Sequence, residues 1–172
     1  ALVAVNRLMR AEGVEAPHLL PLLDLVALAT VADVAPLLGL NRAFVRQGLT
    51  IMRGLHRPGL AALAAAAGLK GPPDAYALGF VLGPRINAGG RIGAADLGAR
   101  LLATRDPAEA VALAQRLHTL NADRRDIEAA VLSAAAEQVE ARGPSALAWA
   151  AGDGWHPGVV GIVAARLKER FG

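Results

Sequence analysis

The sequence predicts a mostly helical chain that closes with the start of a small α/β unit. Three observations predict it. Apolar residues make up 54% of the 172 residues but aromatics only 3%, so much of the apolar content is alanine, the strongest helix former. Residues 108–142 contain neither Pro nor Gly, which reads as one long helix, or two with a kink near Asn121. Near the C-terminus a short apolar stretch, ALAWAA (146–151), precedes a loop and then an amphipathic segment, a strand–loop–helix arrangement.

The length fits one large domain or two small ones. The absence of cysteine excludes a disulfide framework, a thiolate metal site and a cysteine nucleophile. The first residues do not read as a signal peptide. The most membrane-like run, residues 19–40, is interrupted by Pro21, Asp24, Asp33 and Pro36, so it predicts a buried helix pair rather than a bilayer span. Net charge is only +3, but arginine supplies nearly all the cations. Guanidinium favours phosphate and carboxylate partners, although a GC-rich genome gives the same bias. The chain opens on Ala1 within what reads as a helix in progress and stops directly after another, so an excerpt of a longer protein is expected.

Taken in order, residues 1–11 read as a helix stopped by Gly13. Residues 16–21 open a second helical region, in which LLDLVALATVADVAPLLG carries only Asp24 and Asp33 before Pro36 and Gly39 end it. A carboxylate in such a run must be hydrogen-bonded, paired or bound to a cation, because burying it alone is costly. Asp33, near the end of the run, reads either as a ligand emerging into a cleft or as a cap or turn residue. Residues 34–73 hold no acidic residue. On one helix, Arg42, Arg46, Arg53 and Arg57 would fall within an arc of about 60°, opposite Phe44, Ile51, Met52 and Leu55. Such an arginine ridge suits a nucleic-acid backbone, or is a solvated face. Pro58 opens a further helix that runs through alanines to Gly68, and GLKGPPD is the clearest break in this half.

Residues 74–82 form a short apolar element that leads into GPRINAGGRIG (83–93). Its glycines allow a nest of backbone N–H groups flanked by Arg85 and Arg91, which reads as a phosphate-gripping loop or as a tight turn with two solvated arginines. A helix from Ala95 or Asp96 to Thr104 follows, and Asp106-Pro107 starts the next, since aspartate caps and proline fits a first turn. Leu113, Leu117, Leu120, Ile127, Val131 and Leu132 stripe that helix, and its charged middle, NADRRDIE, reads as a solvated face. After Gly143-Pro144 and the strand comes the loop GDGWHPG, and Pro157 opens a last helix with Val159, Ile162, Val163, Arg166 and Leu167 at helical spacing. The helix start beside Trp155 and His156 reads as an anion site with a ring for base stacking, or as a core Trp and a capping His.

Taken together, LDLVALATVADVAPLLGLNRAFVRQGL, FVLGPRINAGGRIG, LNADRRDIE and GDGWHPGVVGIVAARLKERFG resemble, in order and spacing, the RecJ family of bacterial single-strand-specific DNA exonucleases, part of the DHH phosphoesterase superfamily. The resemblance runs from about residue 20 to residue 172, and RINAGGR and GWHPGVVGIVA are its most specific blocks. It implies an α/β parent: a catalytic domain with a parallel sheet and a smaller associated domain, joined by a long helix. Residues 1–40 would then end the catalytic domain, 41–142 would be a helical connector, and 143–172 would begin the associated domain. It also implies removal of nucleotides from the 5′ end of single-stranded DNA with two Mn²⁺ or Mg²⁺ ions.

Carried onto this sequence, the resemblance makes Asp33 a metal ligand and, with His156, a catalytic residue. Arg85, Asn87 and Arg91 would hold DNA phosphates, and Gly154, His156, Gly158 and Gly161 would grip the nucleotide near the reacting phosphate. The family's Asp-x-Asp and Asp-His-His motifs have no counterpart here, and His18, His56, His118 and His156 stand singly. One carboxylate does not hold two metals, so this stretch alone is expected to be inactive and at most weakly metal-binding. Single-stranded DNA is the expected partner, with a single-strand-binding protein and a helicase as further candidates, no membrane, and a cytoplasmic location. Two alternatives remain: a DHH-type phosphodiesterase for oligonucleotides or cyclic dinucleotides, and a non-catalytic strand-binding scaffold.

Overall fold

The computed structural model describes residues 2–172, with side chains from Val3 onward. Ala1, with which the expected first helix opens, lies outside the described residues. The helices are α1 (Leu2–Ala11), α2 (Leu23–Ala32), α3 (Gly39–Met52), α4 (Pro58–Ala66), α5 (Gly83–Ile92), α6 (Leu97–Ala103), α7 (Pro107–Arg142) and α8 (Pro157–Phe171). A 3₁₀ turn, Leu20–Leu22, leads into α2, and a π-helical segment, Ala77–Leu82, runs directly into α5. Among the described residues there is no strand. The mostly helical reading therefore holds. No described helix is long and apolar enough to cross a membrane.

The chain packs as two units. One comprises residues 1–56 and 69–83, the other 57–68 and 84–172. In the first unit α3 lies against α2. The approach is so close that a Cβ at Gly48 would sit 2.1 Å from the Leu23 carbonyl oxygen. Ala27, Leu28, Val45, Met52, Leu78 and Leu82 are buried there. The apolar run 19–40 is thus a single helix, α2, and its partner is α3 rather than a second half of the run. Asp24 is buried and accepts a hydrogen bond from the Leu25 N–H at 2.7 Å.

The second unit is organised on α7. At 36 residues it is about 54 Å long, and it is unbroken at Asn121. Asp106 caps it, accepting from the Ala108 N–H at 2.9 Å, as the Asp-Pro pair predicts. Towards its start, Leu113, Ala114 and Leu117 are buried with Leu60 and Leu63 of α4 and Leu101 of α6. Towards its end, Val131, Ala135, Ala136 and Val139 pack with Val159, Val163 and Leu167 of α8.

Four expectations are corrected. The GPRINAGGRIG stretch is helix, not loop: Gly89, Gly90 and Gly93 are absent from the positive-φ glycines. Gly89 and Gly93 instead admit α7, since their Cβ atoms would fall 3.0 and 2.7 Å from Leu117 and Leu120. The wider π turn immediately before it accommodates Pro84, which has no N–H to give and crowds the carbonyl four residues back. The arginine ridge is shorter than expected. The helix ends at Met52, and Arg57 stands beyond a turn, donating to the Leu102 carbonyl at 3.3 Å.

The 146–151 stretch is not a strand, because a lone strand has no ladder to join. Side chains of α7 occupy its backbone instead: Gln138 both donates to the Ala151 carbonyl at 2.8 Å and accepts from the Ala151 N–H at 3.2 Å, and Arg142 donates to the Trp149 carbonyl. NADRRDIE is only partly solvated. Asn121 and Glu128 are buried and Arg124 is nearly so.

Candidate functional site

In the second unit α5, α7 and α8 enclose an open cleft of about 480 Å³ lined by Asn87 and Arg91 of α5, Arg124, Arg125 and Glu128 of α7, and Arg166 of α8. Helical geometry explains the α5 pair. Asn87 and Arg91 are four residues apart and share a face, whereas Arg85 is turned away from them. Its Nε donates to His118 Nδ1 on α7 at 3.3 Å. Burial, and then the nearby Arg125 cation, hold the Arg85 guanidinium below its usual basicity. Four guanidiniums thus share the cleft with one carboxylate. Like charges crowded together are stabilised by an incoming anion, and planar forks match phosphate oxygens.

The one carboxylate fixes the wall. Glu128 is only 9% exposed. Its Oε2 pairs with Arg124, itself 12% exposed, and its Oε1 accepts from Arg166 Nε at 2.8 Å. Arg124 Nη2 also donates to Asn121 Oδ1 at 3.2 Å. Glu128 therefore ties α7 to α8 and preorients two of the four guanidiniums. Arg166 remains half exposed, available to a ligand.

The start of α8 packs against the end of α5 beside the cleft. Gly158 meets the end of α5: a Cβ there would lie 2.1 Å from the Arg91 carbonyl oxygen, and Arg91 Nη1 donates to the Gly158 carbonyl at 3.2 Å. His156 is the N-cap of α8, its Nδ1 accepting from the Gly158 N–H at 3.0 Å. That bond assigns the neutral imidazole proton to Nε2, leaving a donor on the outer side of the ring. Trp155 is half-buried against the α7–α8 core, so its ring packs rather than standing free. Gly154 has φ +78°, the left-handed region that favours glycine. Gly161 faces open space.

Asp33 belongs to the first unit. It is exposed at the C-cap of α2, where its backbone N–H bonds to the Ala29 carbonyl. A carboxylate is disfavoured at that end of a helix dipole, so capping does not account for it. The next residue, Val34, is held at φ +55° and is exposed, an uncommon strain for a β-branched side chain. Among the described residues no three His, Asp or Glu side chains gather into a metal-binding group. Asp33 fits the chemistry of a single hard-cation ligand. The described residues do not themselves compose a two-ion centre.

The structure thus brings Asn87, Arg91, Gly158 and His156 together within one unit and turns Arg85 of α5 toward His118 of the neighbouring α7. Arg124, Arg125 and Glu128 are the residues that the solvated-face reading of NADRRDIE passes over, and Arg166 joins them from α8, where helical spacing alone gives it no role.

No family model matches the chain. Among curated proteins it is 46% identical over 167 residues to the single-stranded-DNA-specific exonuclease RecJ of Dickeya dadantii, covering 92% of this chain and 29% of that protein. It is 41% identical to the protein of the same name from Escherichia coli, over 99% of this chain and 32% of that one. The chain therefore spans about a third or less of the length of these relatives. Among solved structures, exonuclease RecJ bound to manganese superposes with a TM-score of 0.83 at 40% identity, over 99% of this chain and 43% of that one. RecJ from Thermus thermophilus in complex with Mg²⁺ gives 0.76 at 41% identity, over 95% and 26%.

Proposed function

Because the chain is a partial RecJ-like sequence, we propose that it contributes the strand-holding part of a 5′→3′ single-stranded-DNA exonuclease. The cleft of Arg91, Arg124, Arg125 and Arg166 carries this reading. It offers planar, preoriented donors to successive phosphates and no base-specific pocket, which suits an enzyme that travels along a strand of any sequence. Asn87 and the His156 Nε2–H add neutral donors at the cleft and beside it. In the longer protein Asp33 would offer one carboxylate to a Mn²⁺ or Mg²⁺ site completed by residues elsewhere. The ions would supply charge neutralisation and an activated water. On the resemblance alone, residues 1–40 end the metal-bearing domain, 41–142 connect, and 143–172 begin the associated domain. Likewise a single-strand-binding protein and a helicase are the proposed partners, and the cytoplasm the proposed location.

The test is the salt dependence of binding. Anisotropy of a labelled single strand titrated with this chain at increasing KCl should give a steep log–log slope. Arg91→Ala and Arg166→Ala should each shallow it by about 0.7, the value for one lost single-strand phosphate contact. Slopes unchanged in both variants would remove the cleft from strand binding.

A further inference from the structure

Two of the chain's six aromatic side chains stand in water together. Tyr76 is 66% and Phe80 71% exposed, and their rings stack with centroids 4.9 Å apart and planes inclined by 27°. Tyr76 immediately precedes the π-helical segment Ala77–Leu82 and Phe80 lies within it, while its Leu78 and Leu82 are buried. Nothing in the cleft described above uses them. A π turn is rare and recurs at functional sites, and adjacent large rings are seldom left exposed without a partner.

The same segment is seated on the C-terminal end of α2. A Cβ at Gly79 would touch Val31 Cγ1 at 3.4 Å, and one at Gly83 would lie 2.9 Å from the Ala32 Cβ. Asp33 is the next residue of the chain. The ring pair and the exposed Asp33 carboxylate are therefore carried by two directly packed elements of one unit. We infer that Tyr76 and Phe80 form a stacking platform for a nucleobase of the single strand.

The occupant follows from the geometry. The two rings are already near-parallel, so the outer face of either one extends the stack to a third flat π-system. The platform has no hydrogen-bonding edge to read a base, apart from the Tyr76 hydroxyl, so it takes any base. Stacking on aromatic side chains is sequence-tolerant for this reason. It also requires an unpaired strand, because a base inside a duplex has no free face to offer. The platform thus supplies a physical reason for single-strand preference that the cationic cleft, which reads only phosphates, does not. This inference rests on the strand-holding function proposed above.

The experiment compares two probes on the intact 172-residue chain: a short labelled oligothymidylate, and an abasic sugar–phosphate strand of equal length. Phe80→Ala and Tyr76→Ala should each weaken oligothymidylate binding by about fivefold or more and leave the abasic strand unchanged. Phe80→Trp should retain binding. Both positions are exposed, so melting curves should stay as in the parent. If Phe80→Ala and Tyr76→Ala leave oligothymidylate affinity unchanged, or weaken both probes equally, the platform is refuted. Arg91→Ala separates the two ideas, since it should weaken both probes. A normal Arg91 effect with silent ring variants would sink the platform and leave the cleft standing. Failure of both probes to bind at all would sink both.

Discussion

Replacing Glu128 with glutamine tests whether the cationic wall of the cleft is held by one buried carboxylate. The shape is nearly unchanged and one formal charge is lost. In the native chain that charge meets two guanidiniums, Arg124 at 12% exposure and Arg166 at 54%. Breaking a buried pair by removing one partner costs about 3–5 kcal/mol. Three features reduce this here. The amide oxygen still accepts one hydrogen bond, Arg124 keeps its bond to Asn121, and the half-exposed Arg166 can turn to water, where its pairing is worth little. A loss of about 2–3 kcal/mol remains, or about 5–10 °C in melting temperature for a chain of this size. Circular dichroism at the helix band reads the shift. With Arg166→Ala as the second arm, the Glu128→Gln effect should shrink only slightly, since most of the cost lies with Arg124. A melting temperature within about 2 °C of the parent would show that Glu128 does not hold the wall.

Four other substitutions separate structural from ligand-directed roles. Gly158→Ala drives a methyl against the Arg91 backbone, which cannot yield as a side chain can. Overpacking of about 1–3 kcal/mol should outweigh the helix-propensity gain, and thermal melting should show a loss, whereas Gly161→Ala, in open space, should be neutral or slightly stabilising. Asp33→Asn removes a charge from the unfavourable end of the α2 dipole, so stability should hold or rise by about 0.3–1 kcal/mol, while Mn²⁺-dependent cleavage by the longer protein should disappear; normal turnover would remove Asp33 from the metal site. Glu109 has its carboxyl held below the ordinary value near 4.5 by the Thr104 hydroxyl and then by Arg100. Its contribution is therefore complete above about pH 4.5 and is lost as pH falls through the lowered value. Glu109→Gln should melt earlier than the parent at pH 6, by a margin that shrinks as pH falls through the lowered value, and a difference independent of pH would refute the pairing.

The helical architecture was legible because its signals are local. Asp106-Pro107 marks a start, and the absence of Pro and Gly from 108–142 leaves the helix nothing to break on. The errors arose where the signal is tertiary. The 146–151 stretch has strand-like composition, but strand formation is decided by a neighbour, and α7 side chains take that place. The Arg124–Glu128 pair was within reach of the sequence. At 100° per residue, Arg124 lies about 20° and Glu128 about 60° from the direction of Leu113 and Val131, inside the apolar stripe. Charges of opposite sign centred on a buried stripe and four apart indicate a buried ion pair. Reading NADRRDIE by composition, rather than by angle, hid the residues that complete the cleft.

The glycine-rich motif carries the larger physical lesson. In a loop, glycines supply unusual backbone angles, and Arg85 and Arg91 would sit on a flexible nest. Here Gly89 within α5 and Gly93 just past its end supply absent side chains, letting α5 settle onto Leu117 and Leu120 of α7. That contact fixes the height and rotation of α5 on α7, and thereby where Asn87 and Arg91 stand relative to Arg124 and Arg125. A second close approach, Gly158 on the Arg91 backbone, fixes α8 and with it Arg166. Backbone contacts of this kind leave little freedom to lose when an anion arrives, so more of each guanidinium–phosphate interaction survives as affinity. The conformational cost of gathering like charges is met in folding, by Glu128 and the packed glycines, rather than at the moment of binding. Adding a methyl at Gly93, which no ligand need touch, should therefore loosen strand binding as well as the fold. A Gly93→Ala chain that melts lower yet binds a single strand with unchanged affinity and salt slope would show that the cleft does not depend on this packing.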